Sequence, residues 1–189
     1  MYDVIVVGAG PAGASAAIFL AKAGRSTLMF DNGLSVTRRA LIKNHYGVPE
    51  ITGPDLVDAG KDQAAQLGAT IIAANVTNIR QTETGFTVDT DHGAHEAQHI
   101  ILATGLYTDL VEHIGVRVKP GTEPRIKTIA DVTPDGKTSI PGIWAAGTLA
   151  GVSMHTIITA GDGAKVAINL LSELEGARHV DHDVFKPQK

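Results

Sequence analysis

A β-branched run at Val4–Val7, a glycine turn at Gly8-x-Gly10-x-x-Gly13 and an acid, Asp31, that closes a second apolar run together predict an α/β fold. The expected architecture is a central parallel sheet with an antiparallel β-ribbon, in three layers. The first unit spans Met1 to Gly33. Val4-Ile5-Val6-Val7 is apolar at every position, as a parallel strand buried on both faces must be. Ala14 to Lys22 has the composition of a helix, and Gly24 can stop it. Ser26 to Phe30 is the second strand, and Asp31 stands eighteen residues beyond Gly13. This is the Rossmann-like βαβ spacing for a dinucleotide. Gly8 permits the tight turn, Gly10 lets a pyrophosphate reach the backbone, and Gly13 lets the helix lie on the strand. The helix N-terminus offers free N–H groups to the phosphates, and Asp31 accepts hydrogen bonds from ribose hydroxyls. The unit alone does not separate FAD from NAD.

The stretch after Gly33 is irregular as far as Pro49 and gathers Arg38, Arg39, Lys43, Asn44, His45 and Tyr46. Thr52-Gly53-Pro54-Asp55 is a helix start, and Gly68 ends that helix. Ala69 to Val76 is a predicted strand. Thr77 to Thr90 alternates as an antiparallel ribbon, and Ala97 to Ala103 is a further strand leading into Thr104-Gly105. Thr108 to Ile114 is a short helical turn, while Lys119-Pro120-Gly121 and Thr133-Pro134-Asp135-Gly136 are turn clusters. Ile143 to Ala146 is a buried strand opening onto Gly147-Thr148. A closing helix from Met154 to Leu174 presents Ile157, Ile158, Ala164, Ala167, Leu170, Leu171 and Leu174 on one face. One domain is expected over 1–178, followed by a polar, frayed tail over 179–189.

Composition narrows the function classes. The 189 residues are 43% hydrophobic and 19% charged, with 21 glycines, which suits a globular α/β chain with many tight turns. A net charge of -4 gives no footing for nucleic acid. Val4 to Ala21 carries no charge, yet its glycines and proline exclude a membrane span. No targeting segment is visible, so a cytoplasmic location is expected. Cysteine is absent, and with it any Cys-x-x-Cys redox centre. His92, His95 and His99, beside Asp91 and Glu96, are assigned to the solvent face of the ribbon rather than to a metal site. Short-chain dehydrogenase chemistry needs a tyrosine four residues before a lysine. Tyr2, Tyr46 and Tyr107 are followed at that distance by Val6, Glu50 and Val111. No nucleophile elbow supports Ser-His-Asp chemistry.

Three separated motifs agree with one family. The opening βαβ unit, Ile101-Leu102-Ala103-Thr104-Gly105, and Thr138 to Gly147 together resemble the FAD domain of low-molecular-weight thioredoxin reductases and related two-dinucleotide-binding flavoproteins. Asn44 to Pro49 with Ile51 to Leu56, and Thr159 to Ala164, are similar to that family's corresponding stretches. The resemblance implies FAD. It implies that Gly8, Gly10, Pro11, Ala12 and Gly13 hold the pyrophosphate and that Asp31, with Asn32 beside it, holds the adenosine ribose. Arg39 and Asn44 would contact the cofactor, Val76 would meet the adenine, and Ala103, Thr104 and Gly105 would pass beside it. Gly147 and Thr148 would approach the ribityl chain. His155, Thr156 and Ile157 would open the helix that points at the flavin's pyrimidine end. The resemblance also implies a homodimer.

Departures from the family pattern sharpen the expectation. The family's NADPH-binding fold is missing between Gly105 and Thr108, and no dithiol is present. Thr148 stands where the family has an aspartate, and His155 where it has a glutamine. The implied activity is that of a stand-alone FAD flavoprotein, an oxidoreductase served by a separate electron donor and passing electrons to a partner or small molecule. The alternative is a non-catalytic FAD-binding module with a structural or sensing role.

Overall fold

A computed structural model describes residues 1–124 and 126–186. The chain opens with β1 (Tyr2–Val7), α1 (Pro11–Lys22) and β2 (Thr27–Asp31). Two short strands, β3 (Leu41–Ile42) and β4 (Ile51–Thr52), pair antiparallel and lead into α2 (Gly53–Gln66). Then follow β5 (Thr70–Ala73), β6 (Val76–Gln81), β7 (Phe86–Thr90) and β8 (Gly93–Leu102). After β8 come α3 (Asp109–His113), the antiparallel pair β9 (Val118–Pro120) and β10 (Thr128–Ala130), β11 (Ile143–Ala145) and α4 (Thr156–Glu175).

The fold is Rossmann-like α/β, with parallel strands in the order β5-β2-β1-β8-β11. The sequence of β1 explains its central place. Val4 and Val6 pack with Ala16, Ala17 and Leu20 of α1 and Leu170 and Leu171 of α4. Ile5 and Val7 pack on the opposite face with Ile79, Phe86 and Val88 of the ribbon. A strand covered on both sides has no polar face to offer, hence the uninterrupted apolar run. Three layers result: helices, parallel sheet, ribbon. Among the described residues no helix is long and apolar enough to cross a membrane.

Helices α1 and α4 touch through small side chains. A Cβ on Gly163 would lie 2.0 Å from the carbonyl oxygen of Ala12, and one on Gly13 would lie 1.8 Å from that of Gly8. The α2 start is fixed by Thr52, whose hydroxyl accepts from the Asp55 N–H at 3.3 Å. Gly53 lies so close to Thr37 that a Cβ would come within 1.7 Å of its carbonyl oxygen.

Several elements depart from the sequence expectation. The single strand over Ala69–Val76 is two, because the chain steps from the parallel sheet into the ribbon at Ala74-Asn75. The Ala74 N–H donates to the Asp31 carbonyl at 3.1 Å, and the Asn75 N–H to Asp91 Oδ1 at 2.9 Å. β8 starts earlier than expected. Its first half pairs antiparallel with β7, and its second half runs parallel to β1 and β11. Lys119 and Pro120 belong to a strand rather than a turn. Pro120 opposes Thr128 at the end of its pair, where a missing donor is tolerated.

In α4, Ile157 and Ile158 remain 38% and 44% exposed, because the 3.6-residue period sets them on the other side of the helix from the buried row Thr159, Gly163, Val166 and Leu170. Nor does the tail fray at once. The His179 N–H donates to Ser172 Oγ at 3.0 Å, and Lys22 Nζ lies 2.7 Å from both Asp181 and Asp183. Residues 187–189 of the expected tail lie outside the described residues.

Of the three ribbon histidines, only His92 is exposed. His95 sets its ring edge-on to Phe30, with centroids 5.3 Å apart. His99 is half-buried, and its Nδ1 has no partner among the described residues. Burial lowers the His99 pKa below the usual value, and the Arg25 charge assists. Glu173 and Asp3 oppose it.

Two predictions follow from packing and burial. Gly163→Ala forces α4 off α1 and should lower stability by about 3 kcal/mol or more, read as a fall in the urea midpoint. As pH falls below about 6.5, the unfolded chain binds a proton on His99 before the folded chain does, so stability should decline. Denaturation between pH 8 and pH 5 should show a shallower decline for His99→Gln than for the wild type.

Candidate functional site

The carboxyl ends of β1, β2 and β8 open onto one crevice of about 690 Å³, within the usual range for a small-molecule site of roughly 300–1,000 Å³. Its place at the strand ends is where open α/β sheets take ligands. The floor is the turn from β1 into α1. Gly8 has φ +107°, and a Cβ there would meet the Ala103 carbonyl oxygen at 2.4 Å. No side chain can therefore stand between β1 and β8 at this point, and backbone faces the crevice. Gly10 is the N-cap of α1 and Pro11 its first residue. Among the described residues no side chain caps this end, and no acid lies in its first turn. The α1 N-terminus thus presents unpaired N–H groups and positive potential to the crevice.

Asp31 closes one end of the crevice. Its Oδ1 accepts from the Gly33 N–H at 2.8 Å, and its Oδ2 accepts from Lys61 Nζ at 3.0 Å. Lys61 also lies 3.1 Å from Asp58, which in turn receives Arg38 at 2.7 Å. Burial works against the Lys61 charge, but the bonds to Asp31 and Asp58 prevail and raise its pKa. Arg38, then Lys61, hold the Asp58 carboxyl below its ordinary range. Arg38 belongs to the 3₁₀ turn Val36–Arg39, of which Val36 and Thr37 line the crevice.

The remaining walls come from distant segments. Ala74 to Thr77 form one side, and Ala103 to Tyr107 the other. Thr104 Oγ1 donates to the Tyr107 carbonyl at 2.6 Å, which turns the chain into α3 and brings Asp109, Leu110 and His113 to the rim. Thr148, Met154 and Thr159 line the far end. Thr148 follows Gly147, whose N–H donates to the buried Asp162 Oδ2 at 2.8 Å. Lys165 pairs with the other oxygen of Asp162.

The expected site residues thus divide in two. Gly8, Gly10, Pro11, Ala12, Asp31, Asn32, Val76, Ala103, Thr104, Gly105 and Thr148 line the crevice. Gly13, Arg39, Asn44, Gly147, His155, Thr156 and Ile157 stand outside its wall. Gly13 and Gly147 support it from behind, since a Cβ on Gly147 would lie 2.7 Å from that of Ala12. Arg39 and Asn44 are exposed on the loop before α2. His155 is exposed and shares a 2.8 Å hydrogen bond with Ser153 Oγ. Thr156 Oγ1 is hydrogen-bonded to His45 Nδ1 at 2.9 Å, which ties the 43–50 loop to the start of α4.

Sequence reasoning missed Thr37, Asp109, His113 and Thr159 in the wall, and Asp162 and Lys61 behind it. Only Asp162 had a signal, as an acid set between Gly161 and Gly163 in the first half of α4. Asp162→Ala would leave the Gly147 N–H unpaired in the interior and should cost roughly 2 kcal/mol. Asp162→Asn keeps an acceptor and gives up only a half-exposed ion pair, so its loss should be less than half of that in urea denaturation.

The family profile described as pyridine nucleotide-disulphide oxidoreductase matches residues 2–134. Thioredoxin reductase of Listeria monocytogenes is 35% identical over 108 residues, which make up 56% of this chain and 34% of that protein. Thioredoxin reductase of Mycolicibacterium smegmatis is 34% identical over 127 residues, 65% of this chain and 39% of that one. The chain therefore matches little more than a third of the length of these relatives. A thioredoxin reductase structure from Gloeobacter violaceus superposes with a TM-score of 0.82 at 19% identity, covering 97% of this chain and 99% of that chain. Its likeness is one of fold. With the profile spanning most of the sequence and the crevice at the expected strand ends, the chain belongs to the pyridine nucleotide-disulphide oxidoreductase family, a family of oxidoreductases.

Proposed function

We propose that this chain is a stand-alone FAD flavoprotein, a redox protein whose flavin takes electrons from a separate donor and passes them on without a dithiol. The observation that carries the reading is the pairing of an uncapped α1 N-terminus on the crevice floor with Asp31 at its end. A dinucleotide needs both, donors for its diphosphate and an acceptor for its ribose. The cradle fits the group: Gly8 and Gly10 leave backbone bare where phosphate must approach, and a Cβ on Gly10 would meet only the Ser35 side chain, its Oγ at 3.1 Å. The FAD domain is taken to span 1–178, with a polar tail over 179–189.

When bound, the flavin supplies the hydride and electron chemistry. The chain's residues bind and orient. Backbone N–H groups of the α1 first turn offset the diphosphate charge, and Asp31 fixes the adenosine ribose. The Thr148 hydroxyl offers the ribityl chain a neutral donor and acceptor. Thr159, in the first turn of α4, lines the far end of the crevice. Electrons reach such a site from a reductase, a ferredoxin-like carrier or free NAD(P)H, and leave to a partner protein or a small molecule. A homodimer is part of the reading. The exposed Tyr46 and Ile157 flank the His45–Thr156 hydrogen bond and supply apolar surface for it.

The purified protein should be yellow, with a flavin absorbance spectrum and FAD as the nucleotide released on denaturation. Anaerobic mixing with NADPH, alone and with candidate carriers, should bleach it. Tightly held FAD that no donor reduces would favour a structural or sensing module. A colourless protein that takes up no added FAD would remove the flavin reading altogether. Light scattering with in-line chromatography should give twice the chain mass.

A further inference from the structure

We infer that Lys61 is a positioning residue for the adenosine ribose, and that it makes this crevice selective for an adenosine-bearing flavin over a flavin mononucleotide. The inference rests on the FAD reading above. Lys61 does not line the crevice; it stands behind Asp31 on α2 and holds Oδ2 at 3.0 Å. The Gly33 N–H holds Oδ1 at 2.8 Å. A carboxylate has about four lone-pair directions, and these two bonds occupy one on each oxygen. The remaining pair, one per oxygen, suits the two vicinal hydroxyls of a ribose. Without Lys61, only the Gly33 bond would define the carboxylate plane.

Charge adds a second effect. Asp31 carries a negative charge at the end of a crevice that an anionic diphosphate must enter, and Asp58 adds a second behind it, outside the wall. Lys61, 3.0 Å from one and 3.1 Å from the other, and Arg38, 2.7 Å from Asp58, bring the quartet to neutrality. The side chain of Lys61 is 22% exposed and that of Asp31 11%, so solvent screens this pair less than it would a surface pair. Removing the lysine leaves a partly buried carboxylate facing the diphosphate. Flavin mononucleotide has no adenosine ribose and does not use Asp31, so its binding should not register the change.

Binding of FAD and of FMN to the apoprotein, followed by quenching of flavin fluorescence, tests this. Lys61→Met should weaken FAD about tenfold at low salt and leave FMN within about twofold. The FAD deficit should shrink to about threefold near 0.5 M salt, because added ions screen the repulsion. Lys61→Arg should restore FAD affinity to within about twofold of the wild type. In an Asp31→Asn background there is no carboxylate to orient, so adding Lys61→Met should change FAD affinity by less than about twofold. That comparison also serves if K61M alone does not fold, since the unpaired charge is gone.

Unchanged FAD affinity in K61M overturns the inference. So do equal losses for FAD and FMN, which would mark a general structural role, and a tenfold loss that persists in the Asp31→Asn background. A wild-type protein that binds neither flavin defeats the FAD reading itself, a result none of the variant comparisons can produce.

Discussion

The structure depends on how closely backbone approaches backbone around α1. Three glycines set the distance: Gly13 against the Gly8 carbonyl, Gly163 against the Ala12 carbonyl and Gly147 against the Ala12 side chain. Each position leaves no room for a methyl group. Their joint effect is to clamp the first turn of α1 between the β1 turn and α4. That turn carries the donors which face the crevice, so the packing that stabilises the helix layer also aims the site. A domain built on larger side chains at these contacts would hold α1 farther from the sheet, and its N-terminus would lose its place on the crevice floor.

The two faces of β1 extend the same logic. Val4 and Val6 join the helices while Ile5 and Val7 join the ribbon, so one strand ties both cores together. The long β8 does similar work lengthwise, serving the ribbon with its first half and the parallel sheet with its second. Because β8 ends at Leu102, Ala103 to Gly105 emerge beside the Gly8 turn. Both crevice walls thus start from strand ends fixed by register, with the short turns at Ala74-Asn75 and Thr104 to Tyr107 held by their own hydrogen bonds.

Most of the fold was legible in the sequence where the signal is local. The Gly8 to Gly13 spacing, the acid at Asp31 and the apolar runs of β1, β2 and β11 each lie within a short window, and each appears where expected. Legibility failed where the deciding contact is remote. One miss is not of this kind: Ile157 and Ile158 lie, by the 3.6-residue period itself, on the other side of α4 from Thr159, Gly163, Val166 and Leu170. Gly93 to Glu96 are mostly exposed and alternate, so they gave no hint of continuing into the apolar run at Ile100. In the site, the glycine floor and Asp31 were readable. Thr37, Asp109 and His113 reach the crevice only through tertiary folding, and Lys61 meets Asp31 across thirty residues of chain.

The direct passage from Thr104-Gly105 into α3 shapes what chemistry the chain can support. Thr104 Oγ1 bonds the Tyr107 carbonyl and turns the backbone at once, so α3 lies where its Asp109 and His113 form part of the crevice rim. Nothing in this stretch is long enough to hold a second nucleotide fold, and no thiol exists anywhere in the chain to accept electrons internally. On the reading proposed above, a flavin in this crevice would exchange electrons with a separate donor or acceptor and not with a thiol of residues 1–189. Directional transfer would then depend on the fit of that donor or acceptor at the crevice mouth, to which α3 contributes one carboxylate, Asp109, and one imidazole, His113, a helical turn apart.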